Sequence, residues 1–114
     1  MLVGRHRQHY EETRQMVCQL QAIAASQPDI SEFQAIFLKV EQAGSSLAEG
    51  EGDWDVKAQS YQTEINKQLR LLKIDLMFLK SARQTATSEQ RWATMSDRLH
   101  LLIIYCDTLL SQDF

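Results

Sequence analysis

Two stretches of sequence decide the fold of this chain: AQSYQTEINKQLRLLKIDLMFLKSAR (residues 58–83) and TSEQRWATMSDRLHLLIIYCDTLL (residues 87–110). In both, apolar residues recur in steps of three and four, which is the spacing of one face of an α-helix. No stretch shows sustained alternation of apolar and polar residues, so no strand is predicted. The predicted apolar stripes are Trp54, Ala58, Tyr61, Ile65, Leu69, Leu72, Leu76 and Leu79, then Trp92, Met95, Leu99, Leu102, Ile103, Cys106, Leu109 and Leu110.

These stretches predict two long C-terminal helices, at about residues 53–83 and 88–111. The segment 84–86 makes the turn between them, and Thr87 with Gln90 three positions later fits a capping box at the start of the last helix. Two long helices joined by a short turn pack antiparallel.

Two shorter helices are predicted to precede them, at about residues 5–26 and 30–43. Pro28 ends the first, because proline disfavours helical geometry in the residue before it. Asp29, followed three residues later by Glu32, is predicted to cap the second. Their apolar stripes are Tyr10, Thr13, Met16, Val17, Leu20, Ile23 and Ala24, then Ile30, Phe33, Ile36, Phe37 and Val40.

The predicted fold class is therefore all-α: an antiparallel four-helix bundle that forms a single helical domain over residues 1–114. Gly44 is predicted to stop the second helix. The acidic, glycine-rich segment 44–52 that follows is predicted to be a mobile linker.

The run from Leu71 to Leu79 is too rich in apolar residues for one seam of a bundle. It predicts a second surface, covered by another copy of the chain or by another protein, and hence a homodimer. Five basic and two acidic residues lie between positions 61 and 83, an excess suited to an acidic partner. The predicted partner-binding residues are Lys67, Arg70, Lys73, Lys80 and Arg83.

Bulk composition argues against two classes of partner. The net charge of −3 and the pI of about 5.5 disfavour a dedicated nucleic-acid binder. No apolar run approaches the ~20 residues needed to span a bilayer, and the N-terminus has no signal-peptide core. We therefore expect a cytoplasmic protein without membrane or nucleic-acid partners, in which Cys18 and Cys106 are reduced, buried thiols.

The sequence also offers a few weak candidates for chemistry. One alternative is a metal site formed by His6, His9 and Glu12, which are each three residues apart. The one candidate carboxylate for catalysis is Asp75, which lies within an apolar stretch. A small metal protein or enzyme is thus one alternative. Asp75 is expected instead to face the bundle edge or to pair with Lys or Arg, and no glycine-rich phosphate loop is present. We predict no catalytic residues, no metal and no cofactor.

Several segments of the C-terminal half resemble one family. They are residues 60–72 (SYQTEINKQLRLL), 75–79 (DLMFL) and 82–83 (AR), then 97–99 (DRL) and 105–107 (YCD). Together they are similar to the core of the PatD family, cyanobacterial proteins named for control of heterocyst frequency. The likeness is close over residues 54–110, whereas the first half of the chain matches only in helical character and length.

The resemblance implies a cytoplasmic helical protein without enzymatic activity that associates with FtsZ, the tubulin-like division protein. It thereby implies a role in cell division and, in filamentous species, in heterocyst frequency. An adaptor that binds a transcriptional regulator of differentiation is the alternative in the same biological setting.

Overall fold

The computed structural model describes residues 4–26, 29–49 and 56–111. All four predicted helices are present, and no strand occurs within those ranges, so the predicted all-α fold is confirmed. The helices are α1 (Gly4–Ala25), α2 (Ile30–Glu49), α3 (Val56–Ser81) and α4 (Thr85–Ser111).

The helices form a ring in which each packs against the helices before and after it in the chain, and α4 closes the ring on α1. The α1–α4 seam is the most extensive and the α2–α3 seam is the least extensive. The α3–α4 hairpin is antiparallel, because Tyr61 near the start of α3 lies 6.1 Å, ring to ring, from Tyr105 near the end of α4. At its other end Asp75 of α3 pairs with Arg91 of α4.

The core contains members of every predicted stripe, because each helix turns its apolar face inwards. Thr13 is buried as well. The remaining stripe positions described by the structure, such as Trp92 and Leu69, are half-buried against this core. The buried apolar residues are Tyr10, Val17, Leu20, Ile23, Phe33, Phe37, Val40, Ala58, Ile65, Leu72, Leu76, Leu79, Met95, Leu99, Leu102, Cys106 and Leu109.

Polar contacts fix α1 against the C-terminal hairpin. The Arg7 guanidinium donates to the Leu110 carbonyl at 3.1 Å, which satisfies one of the carbonyls left free at the end of α4. Arg14 forms an ion pair with Asp107. On the inner side, the buried Tyr10 hydroxyl donates to the side-chain Oε1 of Gln62 at 2.5 Å.

The predicted cap of α2 is confirmed. Asp29 Oδ1 accepts from the backbone amides of Ser31 at 2.9 Å and Glu32 at 3.2 Å. These are two of the amide groups that have no partner inside the helix.

The predicted stop at Gly44 is wrong, since α2 continues through Gly44 to Glu49. Glycine costs about 1 kcal/mol inside a helix relative to alanine but does not break it, and Gly44 has no positive φ. Residues 44–49 of the predicted mobile linker are therefore helical, and residues 50–52 lie outside the described ranges.

The predicted start of α4 is also wrong. The Ser88 amide donates to the Gln84 carbonyl at 3.1 Å, so the helical hydrogen bonds begin at Gln84 and Thr87 lies inside the first turn. No glycine or proline interrupts residues 85–87, and nothing there opposes helix formation.

At the other side of the turn α3 ends at Ser81, two residues before the predicted end. The predictions for Pro28 and Trp54 concern residues outside the described ranges.

Replacing Gly44 tests the corrected course of α2. A Cβ atom at Gly44 would meet nothing within 4 Å, so Gly44→Ala is expected to raise the free energy of unfolding by about 0.5–1 kcal/mol. Gly44→Pro is the opposite control and is expected to lower it by about 3 kcal/mol. Urea denaturation followed by circular dichroism measures both. A destabilising Gly44→Ala would mean that Gly44 ends the helix in a left-handed conformation.

Candidate partner-binding surface on the third helix

The outer side of α3 carries three large apolar side chains that the bundle leaves uncovered. Ile74, Met77 and Phe78 are 47%, 65% and 55% exposed, respectively. Residues three and four apart are neighbours on a helix surface, so Ile74 lies beside both of the others. The predicted surplus of apolar residues in this run is thus found at the surface, while Leu72, Leu76 and Leu79 fill the core.

All five predicted partner-binding residues are exposed, but they do not form one stripe. A step of three residues along a helix rotates by about 300°, which is about 60° short of a full turn. The side chains of Lys67, Arg70 and Lys73 are therefore spread around the outer surface of α3. Lys80, seven residues after Lys73, lies on the same side of the helix, and Arg83 follows the helix end. The set therefore flanks the exposed apolar residues from several directions.

The carboxylate of Asp75 lies inside the bundle and is held by two arginines of α4. Asp75 is 1% exposed. Its Oδ1 accepts from Arg91 Nη1 at 2.9 Å, and its Oδ2 accepts from Arg98 Nε at 2.6 Å. The predicted pairing with arginine is thus confirmed. Because each oxygen is bound to a guanidinium and closed to solvent, this carboxylate has no open side for a substrate.

Arg91 also links this buried ion pair to the surface. Its guanidinium carbon lies 4.8 Å from the centroid of the Phe78 ring. A cation over an aromatic face is attracted by the ring quadrupole, with a contribution of about 0.5–1 kcal/mol at exposed sites. The exposed ring of Phe78 is therefore held on the α4 side of α3.

Burial of Asp75 makes the exposed charges of residues 67–83 uniformly positive. From Lys67 to Arg83, Asp75 is the only acidic residue in the sequence. Since it is enclosed and neutralised, every charge that this stretch presents to solvent is a cation. Sequence reasoning counted Asp75 against the basic excess and so underestimated it.

A groove between α2 and α3 borders the same surface. It encloses about 160 Å³ and is lined by residues of both helices. Leu38 of α2 and Met77 of α3 are both exposed at its sides, and Leu38 is 51% exposed. Sequence reasoning missed Leu38, although a leucine next to Phe37 and outside the predicted stripe was a detectable signal.

The candidate metal ligands near the start of α1 are not arranged as a site. His6 is buried, Glu12 is exposed, and His9 Nε2 lies 3.4 Å from Thr13 Oγ1. Burial lowers the pKa of His9, and the nearby Glu12 opposes that shift. Within the described ranges, no three His, Cys, Asp or Glu side chains could hold a metal ion together.

Both cysteines are free thiols in different surroundings. Cys106 is buried, and burial raises its pKa to about 12. Cys18 is half-buried, so the prediction that both thiols are buried is only partly correct, and its Sγ lies 3.8 Å from Arg14 Nη1. His100 is exposed on α4 and so is not buried beside Cys106.

None of the helical segments described by the structure combines the length and apolar character needed to cross a membrane.

Comparison of the chain with known protein families, curated proteins and solved structures gave no match. Membership of the PatD family therefore stays a prediction that depends on the residues quoted above.

Removing the buried charge of Asp75 should destabilise the bundle. Asp75→Asn leaves two partly buried arginines facing each other without a carboxylate, and we expect the free energy of unfolding to fall by about 3 kcal/mol. Urea denaturation gives the change. Asp97→Asn, at an exposed position of α4, is the matched control and should stay within about 0.5 kcal/mol of the parent. Equal effects of the two substitutions would contradict the structural role of Asp75.

The two thiols should differ in reactivity. A pKa near 12 leaves Cys106 almost entirely protonated at pH 8, and burial excludes reagents, so only Cys18 should react with an aromatic disulfide reagent in the native protein. Both thiols should react after denaturation. Cys18→Ser should abolish the native reaction, and a persistent reaction in that variant would show that Cys106 is accessible.

Proposed function

We propose that this protein is a non-enzymatic binding protein that docks a partner protein on the outer face of α3. One observation carries the proposal: Ile74, Met77 and Phe78 are about half exposed or more, on a helix stretch whose solvent-facing charges are all positive. Contiguous apolar side chains bordered by charge are typical of interaction sites.

Burial of these side chains supplies part of the driving force for binding. Complete burial of a large apolar side chain contributes about 1.5–3 kcal/mol, so covering the exposed half of each contributes about 1 kcal/mol. Three such contributions sum to about 3 kcal/mol, which is less than the cost of association, so further contacts must contribute to the complex. The surrounding cations add selectivity and speed of encounter with a negative surface more than affinity.

FtsZ is the partner that the PatD resemblance implies. A filament repeats the same surface on every subunit, so the predicted homodimer would bind two subunits at once only if its two copies meet on a face other than the outer face of α3. A protein that binds the polymer better than the free subunit stabilises the polymer by linkage. The proposed cellular role is therefore modulation of cytoplasmic FtsZ assembly in cell division and, in filamentous species, of heterocyst frequency.

Co-sedimentation with FtsZ tests the proposal. The protein should pellet with FtsZ polymerised by GTP and stay in the supernatant without GTP. The triple substitution Lys67→Glu, Arg70→Glu, Lys73→Glu reverses three exposed charges and should reduce the pelleted fraction severely, because it places negative charge against the partner.

Lys39→Glu is the control for a charge reversal elsewhere on the exposed surface, and it should be compared with Lys67→Glu alone. Unchanged pelleting of the triple variant would exclude this face, and absence of pelleting in the parent protein would exclude FtsZ. A pull-down from a cyanobacterial lysate then separates FtsZ from a transcriptional regulator as the partner.

A further inference from the structure

The groove between α2 and α3 is the place where the bundle is least closed. These two helices make the least extensive of the four seams. Phe37 of α2 and Leu76 of α3 are buried and line the groove, while Leu38 and Met77 line it with exposed side chains. The groove thus has an apolar lining that no other part of the described chain covers.

The charges along the groove are mainly positive. Lys73 and Lys80, one on each side of Met77 in the α3 sequence, both line it. The one carboxylate in the lining, Glu41, lies 3.5 Å from Lys73 Nζ, so these two charges offset each other and Lys80 supplies the net positive charge of the lining. Lys80 is exposed. An occupant with carboxylates beside its apolar side chains is therefore complementary to this groove.

We propose that the α2–α3 groove receives an amphipathic helix with an acidic flank from the partner protein. The inference rests on the proposed docking function and specifies the partner's contact element. Apolar side chains of that helix, spaced three and four residues apart, would contact Leu38 and Met77. Its carboxylates would pair with Lys80 and compete with Glu41 for Lys73. A groove between two helices is the usual receptor for such a helix.

Two other occupants fit the observations less well. An extended peptide that adds a strand needs a sheet edge, and the described residues contain no strand. A second copy in a two-fold contact would present the same patch to itself, so that Lys73 and Lys80 of both copies would be brought together. Like charges at close range disfavour that arrangement.

A designed peptide of about 18 residues, about 27 Å long as a helix, is a suitable probe. It carries leucine at positions i, i+3, i+4 and i+7, glutamate at the flanking positions and a fluorescent label. Fluorescence anisotropy measures its Kd for the full chain. A matched peptide with lysine in place of each glutamate tests the dependence on charge.

Leu38→Glu and Met77→Glu are expected to raise the Kd of the acidic peptide about tenfold or more, because each removes an apolar contact and adds a like charge. Both residues are exposed, so the fold should persist, which circular dichroism checks. Ile104→Glu is the matched control, since Ile104 is 43% exposed on α4 and does not line the groove. The Kd of the acidic peptide for this variant should equal its Kd for the parent protein. Lys80→Glu should weaken binding, whereas Lys39→Glu should not.

Several results would overturn the proposal. They are no binding of the acidic peptide, equal binding of the lysine peptide, or equal losses in Met77→Glu and Ile104→Glu. Light scattering that shows a dimer dissociated by Met77→Glu would place a second copy in the groove instead. Peptide binding without FtsZ pelleting would exclude FtsZ and leave the groove assignment standing. If the parent protein does not bind the peptide and the Leu38→Glu variant still pellets with FtsZ, the groove is excluded as the docking site and FtsZ stands as the partner.

Discussion

The ion pair of Asp75 with Arg91 and Arg98 is the interaction on which the rest of this molecule depends. A carboxylate that is 1% exposed is tolerated only where cations compensate for its lost hydration. The two arginines lie seven residues apart on α4, so pairing with both fixes the register of the α3–α4 hairpin. The same pairing removes the one negative charge between Lys67 and Arg83 from the surface. Hairpin geometry and surface charge thus have a common origin.

Helical periodicity predicted the core well and the helix ends poorly. Spacing of apolar residues reports burial directly, because a helix turns the same face inwards along its whole length. The position of a helix end depends on small differences in free energy between helical and non-helical conformations. Gly44 and Thr87 show that residues typical of caps are tolerated inside helices. The partners of Asp75 could not be read from sequence, since they lie 16 and 23 residues away and depend on the length and shape of the turn.

The candidate surface was only partly visible from sequence for a related reason. A docking face consists of ordinary side chains that the core does not need, so it has no motif of its own. The surplus at Ile74, Met77 and Phe78 was detectable because it exceeded what one seam requires. Leu38 was detectable only as one leucine outside the predicted stripe, and its place beside Met77 depended on how α2 packs against α3. The proposed function depends on what the packing leaves uncovered, and the identity of the partner is a separate question.

The uneven seams also have a dynamic consequence. Because α2 has its main attachment on α1 and little on α3, it is the element whose detachment disrupts the fewest contacts. A partial opening in which α2 moves away from α3 would therefore disrupt few contacts and leave the other three helices in place. A ligand wedged between α2 and α3 would bridge both helices and suppress that opening. Occupancy would then be coupled to rigidity, so that binding at one side of the molecule changes the local unfolding equilibrium of an entire helix.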